Sequence, residues 1–172
     1  YRVAPQEEAP PRAMLADPAR LSDFLQAKPV LRSQFSNLFV AGADGRMRAI
    51  AEAGGGVRDP GLDLSDRAYF RQTLEQRRGL ISEPLPGRIS GEPVVVFTHP
   101  LQDAAGVYGV IGGALHLAGG HLLADLGDGG PGSSALQIIA DAQGRVLAHP
   151  SRQRLLRSVG EEPRLAAAWT QW

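Results

Sequence analysis

The chain has 172 residues, enough for one well-packed domain or for one domain with part of a second. Hydrophobic residues make up 43%, and 18 Lys and Arg balance 18 Asp and Glu. This neutral balance argues against nucleic acid or an anionic membrane as a partner, because both require a basic surface. The chain contains no cysteine, which excludes disulfides and cysteine-ligated zinc. No stretch approaches the roughly 20 apolar residues that cross a bilayer, and no signal peptide is visible. The chain is therefore either soluble or a region between membrane segments.

The first third predicts a helical segment after a proline-rich opening. Between residues 17 and 34, apolar side chains recur at helical spacing: Leu21, Phe24, Leu25 and Leu31. Asp17 is a good N-cap, and Pro18 is tolerated in a first turn. Pro29 is expected to kink or divide the helix, because proline cannot donate a backbone hydrogen bond.

From Ser36 the hydrophobic period changes to that of strands. Asn37–Gly42 and Arg46–Ala51 predict a hairpin, because Asp44-Gly45 lies between two apolar runs. A helix is expected to begin at Ser65, run to about Arg78 and end at Gly79. Three further strands are predicted: Leu80–Glu83, Pro93–Leu101 and Val107–Leu117.

The hairpin pattern occurs twice. Val40–Ala49 aligns with Ile139–Ala148 at a constant offset of 99 residues, after a predicted short helix over 119–128 and a Gly/Pro/Ser-rich linker over 127–134. A chance match of two hairpins is one interpretation, and a second copy of one module is the other. We favour the second, with an N-terminal helical segment at 1–34, a module at 35–118, a helix and linker at 119–134, and a partial module at 135–172. Too few residues follow the second hairpin to complete the same sheet.

Several segments, in this order, resemble a Cache domain. Asn37–Arg46 resembles the opening hairpin of that domain, and Asp63–Phe70 resembles its helix, which carries an Asp-Arg-x-Tyr-Phe signature. The next two strands are matched by Ile81–Pro84 and Gly91–Leu101, and the last strand of the membrane-distal module is matched by Gly109–Leu117. The start of the membrane-proximal module resembles Val146–Pro150 followed by Arg154–Leu156. The resemblance implies an α+β, PAS-like Cache fold, in which an antiparallel sheet has flanking helices and a long N-terminal helix. An incomplete second PAS-like module follows.

The resemblance also implies a function. Such modules are periplasmic, extracytoplasmic sensors of inner-membrane bacterial signalling proteins, with flanking transmembrane helices and frequent homodimers. The His149-Pro150 continuation is similar to sensors fused to diguanylate cyclases, which make c-di-GMP. Chemoreceptors and histidine kinases carry the same type of module. A cytoplasmic, ligand-free PAS-type dimerisation module is the alternative of a different kind. No cofactor and no metal is expected.

The candidate ligand contact is Arg67. On the predicted helix it shares a face with Phe70 and Leu74. A guanidinium facing an apolar interior needs a countercharge, and a ligand carboxylate would accept two parallel hydrogen bonds from it. The alternative is an internal ion pair with one of the nearby acids, Asp63, Asp66 or Glu83.

Related modules often carry an aspartate for ligand amines near the end of the last distal strand, where this chain has Ala114 and His116. This departure argues against an amine-bearing ligand.

Five other residues complete the predicted site. Tyr69 and Phe70 are expected to wall the pocket, although Phe70 also fits a core position. On strand Pro93–Leu101, Phe97 and His99 point to one face and Thr98 to the other; Phe97 and His99 are predicted on the ligand side. Ser82 is expected to donate a hydrogen bond. The glycines of the last distal strand indicate close approach of a backbone or a ligand, or a bulge in the sheet.

Catalysis is not expected. The four histidines lack metal-site spacing, and no nucleophile elbow, phosphate-binding loop or dinucleotide-binding fingerprint occurs. No pair of carboxylates is placed for acid–base work. A hydrolase that uses His99 or His116 is the remaining enzymatic alternative, and it predicts turnover that is lost when either histidine is replaced.

Overall fold

The computed structural model describes residues 10–117, 138–149 and 151–162. The α-helices are α1 (Pro18–Gln26), α2 (Pro29–Gln34) and α3 (Ala68–Gln76), and short 3-10 helices cover Arg12–Ala16, Arg152–Arg154 and Val159–Glu161. The strands are β1 (Asn37–Gly42), β2 (Met47–Glu52), β3 (Val57–Arg58), β4 (Leu80–Ile81), β5 (Leu85–Pro86), β6 (Pro93–Asp103), β7 (Gly106–His116), β8 (Ile139–Ala140) and β9 (Val146–Ala148). None of the helices in these ranges has the length and apolar character to cross a membrane.

The chain forms two compact units. The first takes Tyr1–Ser82 and Val96–Leu115, and the second takes Glu83–Val95 and His116–Trp172. The predicted helix at 119–128 and the linker at 127–134 lie outside the described residues. The predicted domain boundaries therefore stay a prediction.

The large sheet has the strand order β3-β2-β1-β7-β6-β4, and β5 also pairs with β6. β1 pairs antiparallel with β2 on one side and with β7 on the other, so that Phe39 lies opposite Ile50 and Gly112. This confirms the predicted α+β class with an antiparallel sheet. The predicted strands also occur at their expected places, whereas the two-residue strands β3 and β5 are too short for a sequence pattern to indicate them.

The N-terminal helices cover one face of this sheet. Leu21 and Leu25 of α1 are fully buried against Leu38 and Val40 of β1. The Asp17 carboxylate accepts a hydrogen bond from the Arg20 N–H at 3.1 Å, which confirms the predicted N-cap. Instead of one long helix, residues 18–34 form two short ones, because the chain leaves the helical conformation immediately before a proline.

Two adjacent glycines of β7 make room for aromatic rings. A Cβ atom at Gly112 would collide with the Phe39 ring, and one at Gly113 would lie 2.7 Å from the Phe35 ring. These rings cover the glycines and supply the packing that the glycines lack. The close approach that these glycines predicted is thus made by the protein's own side chains.

The repeated hairpins have the same backbone geometry. Ala41 pairs with Met47 after a bulge in the first, and Ala140 pairs with Val146 after a bulge in the second. The turn glycines, Gly45 and Gly144, have φ values of +86° and +74°. In each copy a following segment bonds to the hairpin: the Leu62 carbonyl accepts from Met47 N–H at 2.8 Å, and the Arg157 carbonyl accepts from Val146 N–H at 2.9 Å. The resemblance between the copies therefore extends beyond the turn.

The bounds of α3 differ from the prediction. Ser65 and Asp66 form a turn, in which the Asp63 carboxylate accepts from the Ser65 N–H at 2.7 Å, and the helix begins only at Ala68. Its C-terminal cap is Arg77, which has a left-handed φ of 51°, so the helix stops before Gly79 is reached. The N-cap is Arg67, and no side chain caps the helix; Asp63 instead holds a local turn, because carboxylates bond readily to backbone two residues ahead.

Candidate functional site

The start of α3 is attached to the first hairpin. The Leu64 N–H donates to the Gly45 carbonyl at 2.8 Å, and the Arg67 N–H donates to the Leu64 carbonyl at 2.9 Å. Leu64 itself is buried. These bonds place Arg67 at the N-cap of α3, where its backbone is held by the sheet rather than by the helix alone.

The Arg67 side chain has a buried donor without a partner. Its Nε atom is shielded from solvent and makes no hydrogen bond. Two of the three acids that could have paired with it bind other groups: the Asp63 carboxylate accepts from the Ser65 N–H at 2.7 Å, and Glu83 accepts from Arg145 Nη2 at 3.0 Å. Across the described ranges, no ion pair or side-chain hydrogen bond links the Arg67 guanidinium to protein. An uncompensated buried donor costs free energy, so a ligand acceptor that satisfies it would be favoured.

The aromatic residues that follow Arg67 are both buried. Tyr69 is 7% exposed and Phe70 is 2% exposed. The interpretation of Phe70 as a core residue thus fits its burial, and Tyr69 is buried as well. Whether either ring contacts a ligand stays a prediction.

A pair of buried threonines shows which face of β6 meets α3. The Thr73 hydroxyl on α3 lies 2.6 Å from the Thr98 hydroxyl on β6, and Thr73 also donates to the Tyr69 carbonyl at 2.8 Å. Because side chains alternate along a strand, Phe97 and His99 point away from α3. The choice of face for these two residues is therefore corrected.

The surroundings of Phe97 and His99 agree with that correction. The Phe97 ring meets the Phe35 ring edge-on, with centroids 5.4 Å apart and planes at 66°. Phe35 follows α2 and packs against the core on the α1 side. His99 is exposed, with Nδ1 2.9 Å from the Pro100 carbonyl. Their predicted ligand role stays a prediction that no contact in the structure supports.

Ser82 links two strands of the sheet. Its Oγ accepts from the Val96 N–H at 2.9 Å, and its own N–H donates to the Val96 carbonyl at 2.8 Å. The sheet thus uses the hydroxyl as an acceptor. Donation to a ligand, as predicted for Ser82, would have to occur alongside this bond.

The end of the last distal strand carries no acid for a ligand amine. Ala114 is buried and lies opposite Asn37 on β1. Two residues on, His116 Nδ1 lies 3.4 Å from a Glu92 carboxylate oxygen. The region in which related modules often carry an aspartate thus holds an alanine and a histidine, and neither offers a carboxylate to a ligand amine.

Shifted pKa values occur at Asp103, Tyr108 and Asp141. A hydrogen bond from Arg12 lowers the pKa of Asp103, and burial raises the pKa of Tyr108. Burial alone would raise the pKa of Asp141, but hydrogen bonds from Arg145 lower it below its ordinary value. No three His, Asp or Glu side chains in the described ranges converge as a metal site. What the residues around Arg67 offer chemically is a hydrogen-bond donor for an anion.

Comparison with known proteins identifies the fold. No family model matches the chain, and no curated protein matches it. Among solved structures, it is similar to the ligand-binding domain of the Pseudomonas aeruginosa PAO1 amino-acid chemoreceptor PctC in complex with GABA, with a TM-score of 0.63 and 22% identity over 85% of this chain and 63% of that one. The ligand-binding domain of the Pseudomonas fluorescens chemoreceptor CtaA with L-serine gives a TM-score of 0.61 and 20% identity over 88% of this chain and 64% of that one. The ligand-binding domain of Mlp24 with asparagine gives 0.63 and 15%, over 88% and 62%.

These similarities confirm a Cache-like sensor fold, and they concern the fold alone. The chain spans less than two thirds of the length of each of these solved chains. They give no support to the association with diguanylate cyclases.

Proposed function

We propose that this chain is the extracytoplasmic ligand-binding region of a bacterial membrane receptor, and that it binds a small carboxylate through Arg67. The observation that carries the proposal is the buried Arg67 Nε without a hydrogen-bond partner. Its support is the fold, which is that of chemoreceptor ligand-binding domains. The role of the region in this proposal is binding, not catalysis.

A carboxylate is the ligand group that suits this donor. A planar guanidinium offers N–H groups in a fork that matches the two oxygens of a carboxylate, and such charge-assisted bonds are stronger than neutral ones. The solved neighbours bind GABA, L-serine and asparagine, and each of these carries a carboxylate. Amino acids and their carboxylic acid analogues are therefore the first compounds to test.

The receptor class favoured by the comparisons is a chemoreceptor. The PctC and CtaA domains come from chemoreceptors, which fits the chemoreceptor alternative better than a diguanylate cyclase or a histidine kinase. In this proposal residues 35–118 form the membrane-distal module, residues 135–172 begin a second one, and transmembrane helices flank the region. Homodimerisation belongs to the same proposal.

The experiment is calorimetric titration and thermal denaturation of the purified chain with amino acids. Each amino acid is paired with its amine-free acid, such as GABA with butyrate and L-alanine with propionate. A ligand at 100 times its Kd stabilises a fold by about 2.7 kcal/mol, which for a chain of this size raises Tm by about 5–10 °C. Because Ala114 offers no countercharge, we expect removal of the amine to weaken binding by less than about tenfold.

Arg67→Ala should abolish this response, and Arg78→Ala is the matched control, because Arg78 is an exposed arginine just beyond the same helix. Equal loss in both variants would refute the assignment of Arg67. A chain that binds none of the compounds yet dimerises would favour the ligand-free dimerisation module instead.

A further inference from the structure

The segment that carries Arg67 in the first unit has a counterpart in the second unit. In the first unit, the Leu64 N–H donates to the carbonyl of the turn glycine Gly45 at 2.8 Å. In the second unit, the Val159 N–H donates to the carbonyl of the turn glycine Gly144 at 2.7 Å. Both Leu64 and Val159 are buried. The structural repeat therefore extends past the hairpin, into the segment that leads to Arg67.

Glu162 takes the place of Arg67 in this counterpart. The Arg67 N–H donates to the Leu64 carbonyl at 2.9 Å, and the Glu162 N–H closes the same kind of turn by donating to the Val159 carbonyl at 3.0 Å. The backbone angles are also alike, with φ −79° and ψ 127° at Arg67 and φ −82° and ψ 114° at Glu162. Because the turn and these angles fix the direction of Cβ, the two side chains leave their turns in the same way.

The two positions differ in charge and in pairing. The Arg67 Nε is buried without a partner. Glu162, in contrast, is 7% exposed, and its Oε1 atom lies 3.3 Å from Arg154 Nε. Taking one partner away from a buried ion pair leaves an uncompensated charge, which is strongly destabilising. The second unit thus supplies from its own chain the countercharge that the Arg67 Nε lacks.

His149 also faces the Glu162 carboxylate. Its side chain is 8% exposed, and its Nε2 lies 3.6 Å from Glu162 Oε1. Since His149 Nδ1 accepts from the Ser151 N–H at 2.8 Å, the proton of a neutral ring is on Nε2. At 3.6 Å the contact is longer than a hydrogen bond, so the countercharge for Glu162 comes from Arg154.

We propose that the second unit has a charge-inverted counterpart of the Arg67 position, in which the Glu162 carboxylate forms a site for a guanidinium or ammonium group and Arg154 fills that site from within the chain. The Arg154 side chain is 39% exposed and that of Glu162 is 9% exposed, so Arg154 reaches the buried carboxylate from the surface. Removal of the Arg154 side chain should open a path from solvent to an acid that has lost its countercharge. A small cation of the same shape then binds there. This inference does not depend on the binding of a carboxylate at Arg67.

The test is rescue of Arg154→Ala by ethylguanidinium, which has the atoms that this substitution removes. The variant leaves a buried carboxylate unpaired and should have a lower Tm than the wild type. At ten times its Kd, ethylguanidinium should raise the Tm of the variant by about 3–6 °C. Ethylurea, a neutral analogue of the same shape, should not. The wild type should respond to neither compound, because Arg154 already occupies the site.

Arg152→Ala is the matched control. Arg152 belongs to the same 3-10 helix, but its side chain is 74% exposed and lies 3.5 Å from a Glu92 carboxylate oxygen. Ethylguanidinium should therefore leave the Tm of this variant unchanged. In the double variant Arg154→Ala/Glu162→Gln the carboxylate charge is gone, and rescue should be lost.

The inference is overturned if rescue persists in the double variant, or if ethylguanidinium and ethylurea act alike on Arg154→Ala. If Arg154→Ala does not fold without additive, the yield of refolding in each compound replaces Tm as the measurement. No carboxylate is present in any of these samples, so failure here leaves the proposed function of Arg67 standing, and failure of carboxylate binding at Arg67 leaves this inference standing.

Discussion

Replacing Arg67 by methionine should stabilise the unliganded fold while it abolishes carboxylate binding. A donor that is buried without a partner costs about 1–3 kcal/mol, and an apolar group of similar shape removes that cost. Methionine also retains much of the packing of the arginine stem. A binding-site residue whose donor is satisfied only by the ligand therefore lowers the stability of the unliganded fold.

The magnitude follows from the burial of Arg67. Its Nε is buried and unpaired, but the residue as a whole is only half-buried, so the lower end of the range applies, at about 1 kcal/mol. For a chain of this length, that corresponds to a Tm increase of about 2–4 °C. Arg71 is the internal comparison, because its guanidinium donates to the Ser65 and Asp66 carbonyls at 3.3 and 3.1 Å. Arg71→Met removes these bonds and should lower Tm.

Both variants are measured by thermal denaturation and by urea denaturation with circular dichroism, without ligand. Calorimetry then measures how tightly each variant binds the amino acid or carboxylic acid for which the wild type has the highest affinity. The reasoning is refuted if Arg67→Met lowers Tm as much as Arg71→Met does, because Arg67 would then be a structural residue. It is also refuted if Arg67→Met still binds the carboxylate with unchanged affinity.

Three further changes test the contacts that support the fold. Tyr108→Phe removes a 2.7 Å bond from the buried hydroxyl to the Pro10 carbonyl and should lower the free energy of unfolding in urea by about 1–2 kcal/mol; an unchanged value would show that water replaces the bond. The pKa of Asp141 is lowered in the folded chain by Arg145, so its contribution to stability is present above the unfolded value of about 3.9 and is lost as the pH falls through the folded value. Asp141→Asn should therefore be less stable at pH 7 and lose less stability than the wild type on acidification to pH 3; parallel losses in urea midpoint would contradict this. Gly45→Ala places a side chain at φ +86° and should cost at least about 1–2 kcal/mol in the same urea assay, and a neutral result would mean that the turn adopts another geometry.

Local features of the fold could be predicted because they depend on residues close together in the chain. The turn at Asp44-Gly45 needs a residue that tolerates a positive φ, and the proline at position 29 interrupts a helix wherever that helix packs. The repeat at a separation of 99 residues was detectable for the same reason, since each copy carries its own turn chemistry. The start of α3 was missed because the Asp63 carboxylate accepts from the Ser65 N–H and forms a turn there, and a helical pattern in the sequence does not reveal that bond.

The candidate site could be predicted only in part. The signature around Arg67 pointed to a residue whose Nε is buried without a partner, and its ligand role stays a prediction. Phe97 and His99 were expected on the face of β6 that meets α3, whereas Thr98 is the residue that meets it. Both faces of this strand are apolar enough to be buried, so the alternation alone left the choice open.

The amino-acid sequence by itself determined where the chain turns, where helices break and which segments alternate as strands, because these properties arise from backbone sterics within a few residues. Only the tertiary structure decided that the Arg67 Nε is buried without a partner and that the Phe39 ring lies over Gly112. Both depend on which side chains, far apart in the chain, occupy the space around one atom. A missing countercharge is a property of that whole surrounding, and no single segment of the sequence contains it.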